Sequence, residues 1–211
     1  MVAIRIRESD VDHPFGTASD WKDVSEGKRL EEALAYLRPL CKIKTPCAIS
    51  RNLVYYLVQG CTKRKDLCVG KAIFALLREN GLEIVPPLGD PLIRLFAFHG
   101  LLSHASSVFL CIQKPSSHTW HAIISAHIAH GHHPKSLSLY HSMLWTGFHP
   151  SKFMLSGILK ACTCTRSLCL GMVVHHQTLE YELDSQVVVG SALIALYSKC
   201  GILEDARYVF D

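Results

Sequence analysis

Histidine and cysteine are the side chains of this chain that could bind a metal ion. The sequence holds 13 histidines and 9 cysteines, with a histidine-rich stretch at 127–141 and a pair at 175–176. Structural zinc sites commonly use two cysteines three residues apart, and no two cysteines here have that spacing. Neighbours on a helix point in different directions, so His132 and His133 would not converge on one ion. We interpret these histidines as solvent-exposed turn residues and expect no metal site.

Signatures of other catalytic centres are also missing from the sequence. It contains no Gly-x-Ser-x-Gly nucleophile elbow and no Gly-rich phosphate-binding loop. Cys61 recurs as Cys162, and Cys68 recurs as Cys169, at one fixed spacing. Such recurrence is typical of small apolar residues in a repeated core, and unpaired cysteines indicate a reducing compartment. We expect no catalysis by this chain and no cofactor.

The elements that position these side chains are indicated by an internal duplication. Residues 187–211 follow the plan of residues 86–110 at an offset of 101 residues, without a gap. The matching pairs include Gly89 with Gly190, Leu92 with Leu193, Leu95 with Leu196, Gly100 with Gly201, and Phe109 with Phe210. A register held over this length predicts a repeat protein.

Composition and hydrophobic pattern predict that the repeats are helical. Hydrophobic residues make up 49% of the chain and charged residues 19%, which favours a packed core over disorder. From residue 51 onward, apolar residues recur at helical spacing between Gly- and Pro-containing turns. The sequence lacks the long apolar run that a membrane span needs, and its net charge of +4 permits a polyanionic partner without requiring one. We predict an all-α fold in which stacked helix pairs form an α-solenoid.

The first 50 residues are less regular. Residues 1–27 show no sustained periodicity and include six acidic residues, so we interpret them as a loose leader without a clear transit peptide. Residues 27–37 carry an apolar helical stripe that Pro39 is expected to end. Residues 42–50, which contain Pro46, are interpreted as a linker or a decayed repeat unit.

Turn signals divide the rest of the chain into units of unequal length. The predicted units are residues 51–85, 86–116, 117–151, 152–186 and 187–211, and the first four have 35, 31, 35 and 35 residues. Tetratricopeptide repeats of roughly 34 residues would not vary in this way. A triplet of 35, 35 and 31 residues also accounts for the 101-residue offset of the duplication.

Short phrases within these units resemble the plant pentatricopeptide repeat (PPR) family, in its PLS subfamily. Residues 119–125 together with 147–150 are similar to a P unit, residues 158–162 with Gly171 to an L unit, and residues 190–201 to an S unit. The order from residue 51 is therefore L, S, P, L, S. The stretch 27–37 resembles the second helix of a degenerate upstream repeat.

The resemblance also bears on the end of the sequence. The last S unit, 187–211, is shorter than the 31 residues of the first one, so we expect a truncated chain that lacks the C-terminal deaminase-like domain of many family members. Zinc deaminases need a histidine followed two residues later by glutamate, and no histidine of this sequence has that neighbour.

For the fold, the resemblance implies a right-handed α-solenoid whose first helices line an RNA-binding surface, with about one base per unit. In the family the fifth and last residues of a unit contact the base edge, and the second residue packs beside the base. The implied fifth and last pairs are Tyr55 with Val85, Asp90 with Ser116, His121 with Ser151, and Ser156 with Gln186, with Ser191 as the fifth residue of the last unit. The implied second residues are Asn52, Pro87, His118, Phe153 and Val188. These combinations do not predict a target sequence.

For function, the resemblance implies sequence-specific binding of single-stranded organellar RNA, in the mitochondrion or alternatively in the chloroplast. The expected role is C-to-U RNA editing or RNA processing, with catalysis supplied by an editing or deaminase partner protein. The alternatives are a helical scaffold for protein–protein interaction, a metal- or thiol-dependent enzyme, and an inactive truncated fragment. Residues 63–65 are interpreted either as a phosphate contact or as a solvated turn, and Trp120 and Trp145 as packing residues.

Overall fold

The computed structural model describes residues 18–42, 51–79, 81, 84–183 and 186–210. These residues form twelve α-helices and no strand, which confirms the predicted all-α fold. The helices are α1 Ala18–Ser25, α2 Leu30–Lys42, α3 Arg51–Arg64, α4 Leu67–Glu79, α5 Pro86–Phe98, α6 Leu102–Cys111, α7 Ser117–Ala129, α8 His133–Trp145, α9 Lys152–Thr165, α10 Leu168–Glu180, α11 Val187–Cys200 and α12 Leu203–Phe210. None of the described helices is long and apolar enough to cross a membrane.

The chain divides into two compact units, Met1–Lys114 and Pro115–Asp211. In the first unit, the first helices of successive pairs, α1, α3 and α5, pack side by side, and α2 packs against α4. In the second unit, α7, α9 and α11 form the corresponding layer of first helices. Each predicted repeat from residue 51 onward contains one pair of helices, and the solenoid architecture follows from this stacking of pairs.

Apolar stripes explain why each helix forms where it does. In α3, Val54, Leu57, Val58 and Cys61 recur at spacings of three and four residues, and all four are buried. Full burial of a side chain of this size stabilises the folded state by about 1.5–3 kcal/mol. A helix of 14 residues is marginal by itself in water, so packing between neighbouring pairs supplies most of its stability.

The 101-residue offset of the sequence is also present in the backbone. Left-handed residues lie at turns that follow the helices, at three pairs of positions separated by 101 residues. The pairs and their φ angles are Lys65 (55°) with Arg166 (51°), Gly81 (59°) with Glu182 (54°), and Gly100 (72°) with Gly201 (83°). Left-handed backbone is uncommon for residues other than glycine, so its recurrence at Lys65 and Arg166 shows that the two turns share one design.

Close helix contacts recur at the same offset. Gly70 of α4 lies so close to Leu95 of α5 that an added Cβ would stand 2.3 Å from Leu95 Cδ2. Gly171 of α10 meets Leu196 of α11 with the same separation of 2.3 Å. These two glycines therefore allow a second helix to approach the first helix of the following pair, once in each unit.

An aromatic contact accompanies each of these glycines. Phe74 and Phe96 meet edge to face with ring centroids 6.1 Å apart. At the equivalent place His175 and Tyr197 are 5.7 Å apart, and His175 Nδ1 forms a 2.8 Å hydrogen bond with the Tyr197 hydroxyl. The two ring pairs thus have similar geometry, although the first pair is apolar and the second is polar.

Two expectations about the region before residue 51 were wrong. Residues 18–25, interpreted as part of a loose leader, form α1, and Pro39 does not end α2, which continues to Lys42. A proline this close to a helix end removes only one backbone hydrogen bond near the last turn. The remaining parts of the predicted leader and linker, 1–17 and 43–50, lie outside the described residues.

The cysteine prediction is right for one pair and wrong for the other. Cys61 and Cys162 are fully buried, and burial raises the pKa of the Cys61 thiol to about 12 and that of Cys162 to about 11. These two residues are unreactive packing residues at pH 7. Cys68 and Cys169 are exposed. Each lies at the second position of a second helix, before the first buried residue of that helix.

Candidate nucleic-acid interface

The predicted second residues lie in the first turn of the first helices and face solvent. In the second unit they are His118 on α7, Phe153 on α9 and Val188 on α11, and all three are exposed. Phe153 is 61% exposed and Val188 is 44% exposed. Pro87 on α5 is also exposed, whereas the side chain of Asn52 lies outside the described residues. Three adjacent first helices therefore each present an exposed ring or aliphatic group near the N-terminal end.

The predicted fifth residues differ in exposure. Tyr55 and Ser191 are exposed, and His121 and Ser156 are half-buried. The Ser191 hydroxyl donates to the Val187 carbonyl at 2.7 Å, whereas Ser156 makes no side-chain hydrogen bond within the described part of the chain. The hydroxyls of Tyr55 and Ser156 therefore keep their hydrogen-bonding capacity for a ligand.

Asp90, the fifth residue on α5, is the exception in this set. Its side chain is only 8% exposed, and its buried Oδ1 atom has no hydrogen-bond partner among the described residues. An unsatisfied buried acceptor costs roughly 1–3 kcal/mol. Asp90 lies in the first unit, whereas its predicted partner Ser116 lies in the second.

Two of the predicted last residues have a structural role that the sequence reasoning missed. Ser116 is the N-cap of α7: the Thr119 amide donates to Ser116 Oγ at 3.2 Å, and the Ser116 amide donates to Thr119 Oγ1 at 3.1 Å. Ser151 is the N-cap of α9 and accepts from the Met154 amide at 3.3 Å. A serine that directly precedes a helix is a capping signal, and this signal is visible in the sequence at Ser116 and at Ser151. The two hydroxyls hold the ends of the first helices.

Gln186 behaves differently from these two serines. It is the N-cap of α11, but its side chain makes no capping bond. Instead, Gln186 Oε1 accepts a 3.0 Å hydrogen bond from Lys152 Nζ at the start of α9. The last residue of the predicted unit 152–186 is thereby held beside the first turn of the first helix of that unit.

The histidine-rich stretch is only partly exposed, so the interpretation of all its histidines as solvent-exposed turn residues was wrong. His130, His132 and His141 are exposed, but His127 is buried, with its ring centroid 6.0 Å from that of His132. The pKa of His127 lies below its usual value, mainly because burial disfavours the charged ring. The nearby positive charges of His132 and Lys135 lower it further. In the described part of the chain, no three His, Cys, Asp or Glu side chains are grouped so that they could hold a metal ion.

The two tryptophans expected to pack have different environments. Trp120 of α7 is buried, as predicted. Trp145, at the C-terminal end of α8, is 79% exposed, so the prediction is wrong for this residue. Its indole Nε1 donates to His141 Nδ1 at 3.2 Å, one turn earlier on the same helix.

The basic turn after α3 is used mainly for packing within the first unit. Arg64 Nη1 donates to the Gly27 carbonyl at 2.7 Å. Lys65 Nζ stands 3.9 Å from the centroid of the exposed Phe98 ring, a cation–π geometry. Lys63 is exposed.

Comparisons with known proteins agree with this architecture. A family model described as PPR repeat matches residues 118–148, which span α8 and all of α7 except its first residue. A mitochondrial pentatricopeptide repeat-containing protein of Arabidopsis thaliana is 32% identical over 161 residues, covering 76% of this chain and 25% of that protein. A chloroplastic one is 32% identical over 182 residues, covering 86% of this chain and 29% of that protein. The chain thus spans about a quarter of the length of the curated relatives it matches.

A solved structure shares the fold. The crystal structure of the pentatricopeptide repeat protein PPR10 from maize matches 90% of this chain and 28% of its own length, with a TM-score of 0.69 and 20% identity. The matched repeat, the relatives that align over most of the chain, and the stacked helix pairs lead to one conclusion: this chain belongs to the pentatricopeptide repeat family.

Proposed function

We propose that this chain binds single-stranded RNA along the N-terminal turns of its first helices. The observation that carries the proposal is the row of exposed second residues, His118, Phe153 and Val188, on the adjacent helices α7, α9 and α11. Each of these three helices otherwise buries most of its apolar stripe. A row of solvent-facing rings and aliphatic groups at one repeated position supplies surfaces on which successive bases pack.

Polar groups beside this row supply hydrogen bonds to the base edges. The proposed contacts are His121 and Ser151 for one unit, and Ser156 and Gln186 for the next. Ser191 serves the last unit, and Asp90 on α5 is the proposed contact of the unit 86–116. Unstacked bases of a single strand expose the edges that such side chains recognise, whereas duplex RNA does not. The surface therefore favours single-stranded RNA over a duplex.

We further propose that the units follow the L, S, P, L, S order and that the RNA is an organellar transcript. Support comes from the 101-residue repeat of backbone and contacts and from relatives named mitochondrial or chloroplastic. The proposed role is RNA editing or processing, with the chemistry performed by another protein.

Binding to pools of RNA and of peptides tests this proposal. We expect the chain to retain a randomised single-stranded RNA pool at low salt, with affinity that falls as salt rises, because cationic side chains near the phosphates release counterions. Duplex RNA of the same length serves as the matched control and should bind more weakly. Retention of the peptide pool with no retention of RNA at low salt would instead identify a protein-binding scaffold.

A further inference from the structure

We propose that Lys152 is a positioning residue that sets the base preference of the unit 152–186. This inference rests on the proposed function, because it concerns which base that unit contacts. Lys152 begins α9, and its Nζ donates to Gln186 Oε1 at 3.0 Å across 34 residues of sequence. Both side chains are half-buried, so the bond is partly shielded from competing water.

The chemistry of the two groups fixes which end of the Gln186 amide faces outward. An ammonium group has three donors and no acceptor, whereas a carboxamide has an acceptor oxygen and a donor nitrogen. The lysine can therefore bond only to Oε1, and the Gln186 Nε2 amino group becomes the outer end of the side chain. The lysine in this way determines an orientation that a free glutamine would not hold.

The N-caps of the other two first helices of the second unit differ from Gln186. Ser116 and Ser151 direct their side chains onto backbone amides of their own helices. Gln186 makes no such capping bond and crosses instead to α9. The side-chain amide of Gln186 therefore lies against α9, the first helix of its own unit.

Ser156 completes the contact surface. It lies four residues after Lys152 on α9, and residues at this spacing share one face of a helix. Its hydroxyl makes no hydrogen bond within the described part of the chain and is half-buried. The face therefore presents an amino donor from Gln186 and a free hydroxyl from Ser156, with the Phe153 ring next to Lys152 at 5.6 Å from Nζ to centroid.

A donor at this place discriminates between bases. Glutamine usually recognises adenine with two bonds, in which its oxygen accepts from the adenine amino group and its nitrogen donates to a ring nitrogen. The Lys152 ammonium uses one of the two lone pairs of this oxygen and places a positive charge beside it, so the adenine amino group, itself a hydrogen-bond donor, is disfavoured there. Uracil carries carbonyl acceptors on its edge and accepts from Nε2. We therefore assign the unit 152–186 a preference for uracil over adenine.

Selection from a randomised single-stranded RNA pool tests the inference, with Lys152→Met as the variant and Lys160→Met as the matched control. Lys160 is an exposed lysine on the same helix, so its loss removes the same charge without touching Gln186. The wild-type chain should deplete adenine at one position by about tenfold. Lys152→Met should relax that depletion, Lys160→Met should keep it, and Gln186→Glu, whose carboxylate accepts only, should favour adenine there. If Lys152→Met and Lys160→Met showed the same depletion of adenine, the inference about Lys152 would be overturned. The proposal that the chain binds RNA would not be affected.

A measurement without RNA separates this inference from the proposed function. In the free protein, the side-chain NH2 resonances of Gln186 should shift in Lys152→Met and stay unchanged in Lys160→Met. Unchanged resonances in both variants would overturn the positioning role regardless of RNA binding. Failure of the wild-type chain to bind any RNA would overturn the proposed function, and the base preference with it.

Discussion

Replacing Gly60 by alanine is expected to destabilise the first unit by about 1–2 kcal/mol. An alanine Cβ would stand 2.1 Å from the Val24 carbonyl oxygen and 2.7 Å from Leu30 Cδ2. The nearest atom belongs to the backbone, so α1 must move rather than a side chain. Overpacking of this kind costs about 1–3 kcal/mol and occasionally more, and the gain of about 1 kcal/mol from alanine in a helix offsets only part of it.

Urea denaturation of Gly60→Ala beside Gly157→Ala measures this effect. Gly157 lies in α9, where an added Cβ would meet only Ile128 Cδ1 at 3.1 Å, the far end of a flexible side chain. This control should be nearly neutral. Ala161 stands at the position equivalent to Gly60 in the duplication and is fully buried, so alanine is compatible with the helix itself. Equal stability of both variants would show that α1 does not pack against Gly60.

Replacing Phe153 by alanine is expected to weaken single-stranded RNA binding by about 5- to 150-fold. The exposed ring contributes little to the folded core, whereas stacking of one base on an aromatic side chain is worth about 1–3 kcal/mol. The ring lies beside Lys152, whose Nζ is 5.6 Å from the ring centroid. Affinity should fall while helical content and thermal stability remain close to those of the wild-type chain.

Trp145→Ala provides the control for Phe153→Ala. Both residues are exposed aromatic side chains of the second unit, but Trp145 lies at the end of the second helix α8 rather than at the start of a first helix. Its loss should leave RNA affinity unchanged within about twofold. If Trp145→Ala weakened binding as much as Phe153→Ala, the RNA surface would have to include the second helices.

Much of the fold could be predicted from the sequence because it depends on local spacing. The apolar stripe of α3 and the duplication at 101 residues are properties of neighbouring or equivalent residues. Helix α1 was missed because its eight residues, ASDWKDVS, include few apolar side chains. What holds α1 is the fully buried Val24 and its close approach to Gly60, a contact between residues far apart in sequence.

The candidate site shows a similar limit. Position within a repeat predicts which residues lie in the first turn of α7, α9 and α11, and the structure places them there. It does not predict that Asp90 is buried, or that Lys152 meets Gln186, since both depend on packing between elements. The caps formed by Ser116 and Ser151 could have been found, because serine before a helix is a local signal.

The central claim is that each repeat unit contacts its own RNA base. It is tested most directly by selecting RNA sequences with a variant that carries two altered residues in the unit 117–151. The variant is His121→Asn combined with Ser151→Asp, which gives the unit 117–151 an amide at its fifth position and a carboxylate at its last position. Aspartate is also an N-cap residue, so α9 keeps its cap. Selection from a randomised single-stranded RNA pool should show a new base preference at one position and unchanged preferences elsewhere, with helical content intact. Identical preferences in the wild-type chain and the variant, or a uniform loss of binding at every position, would contradict the account.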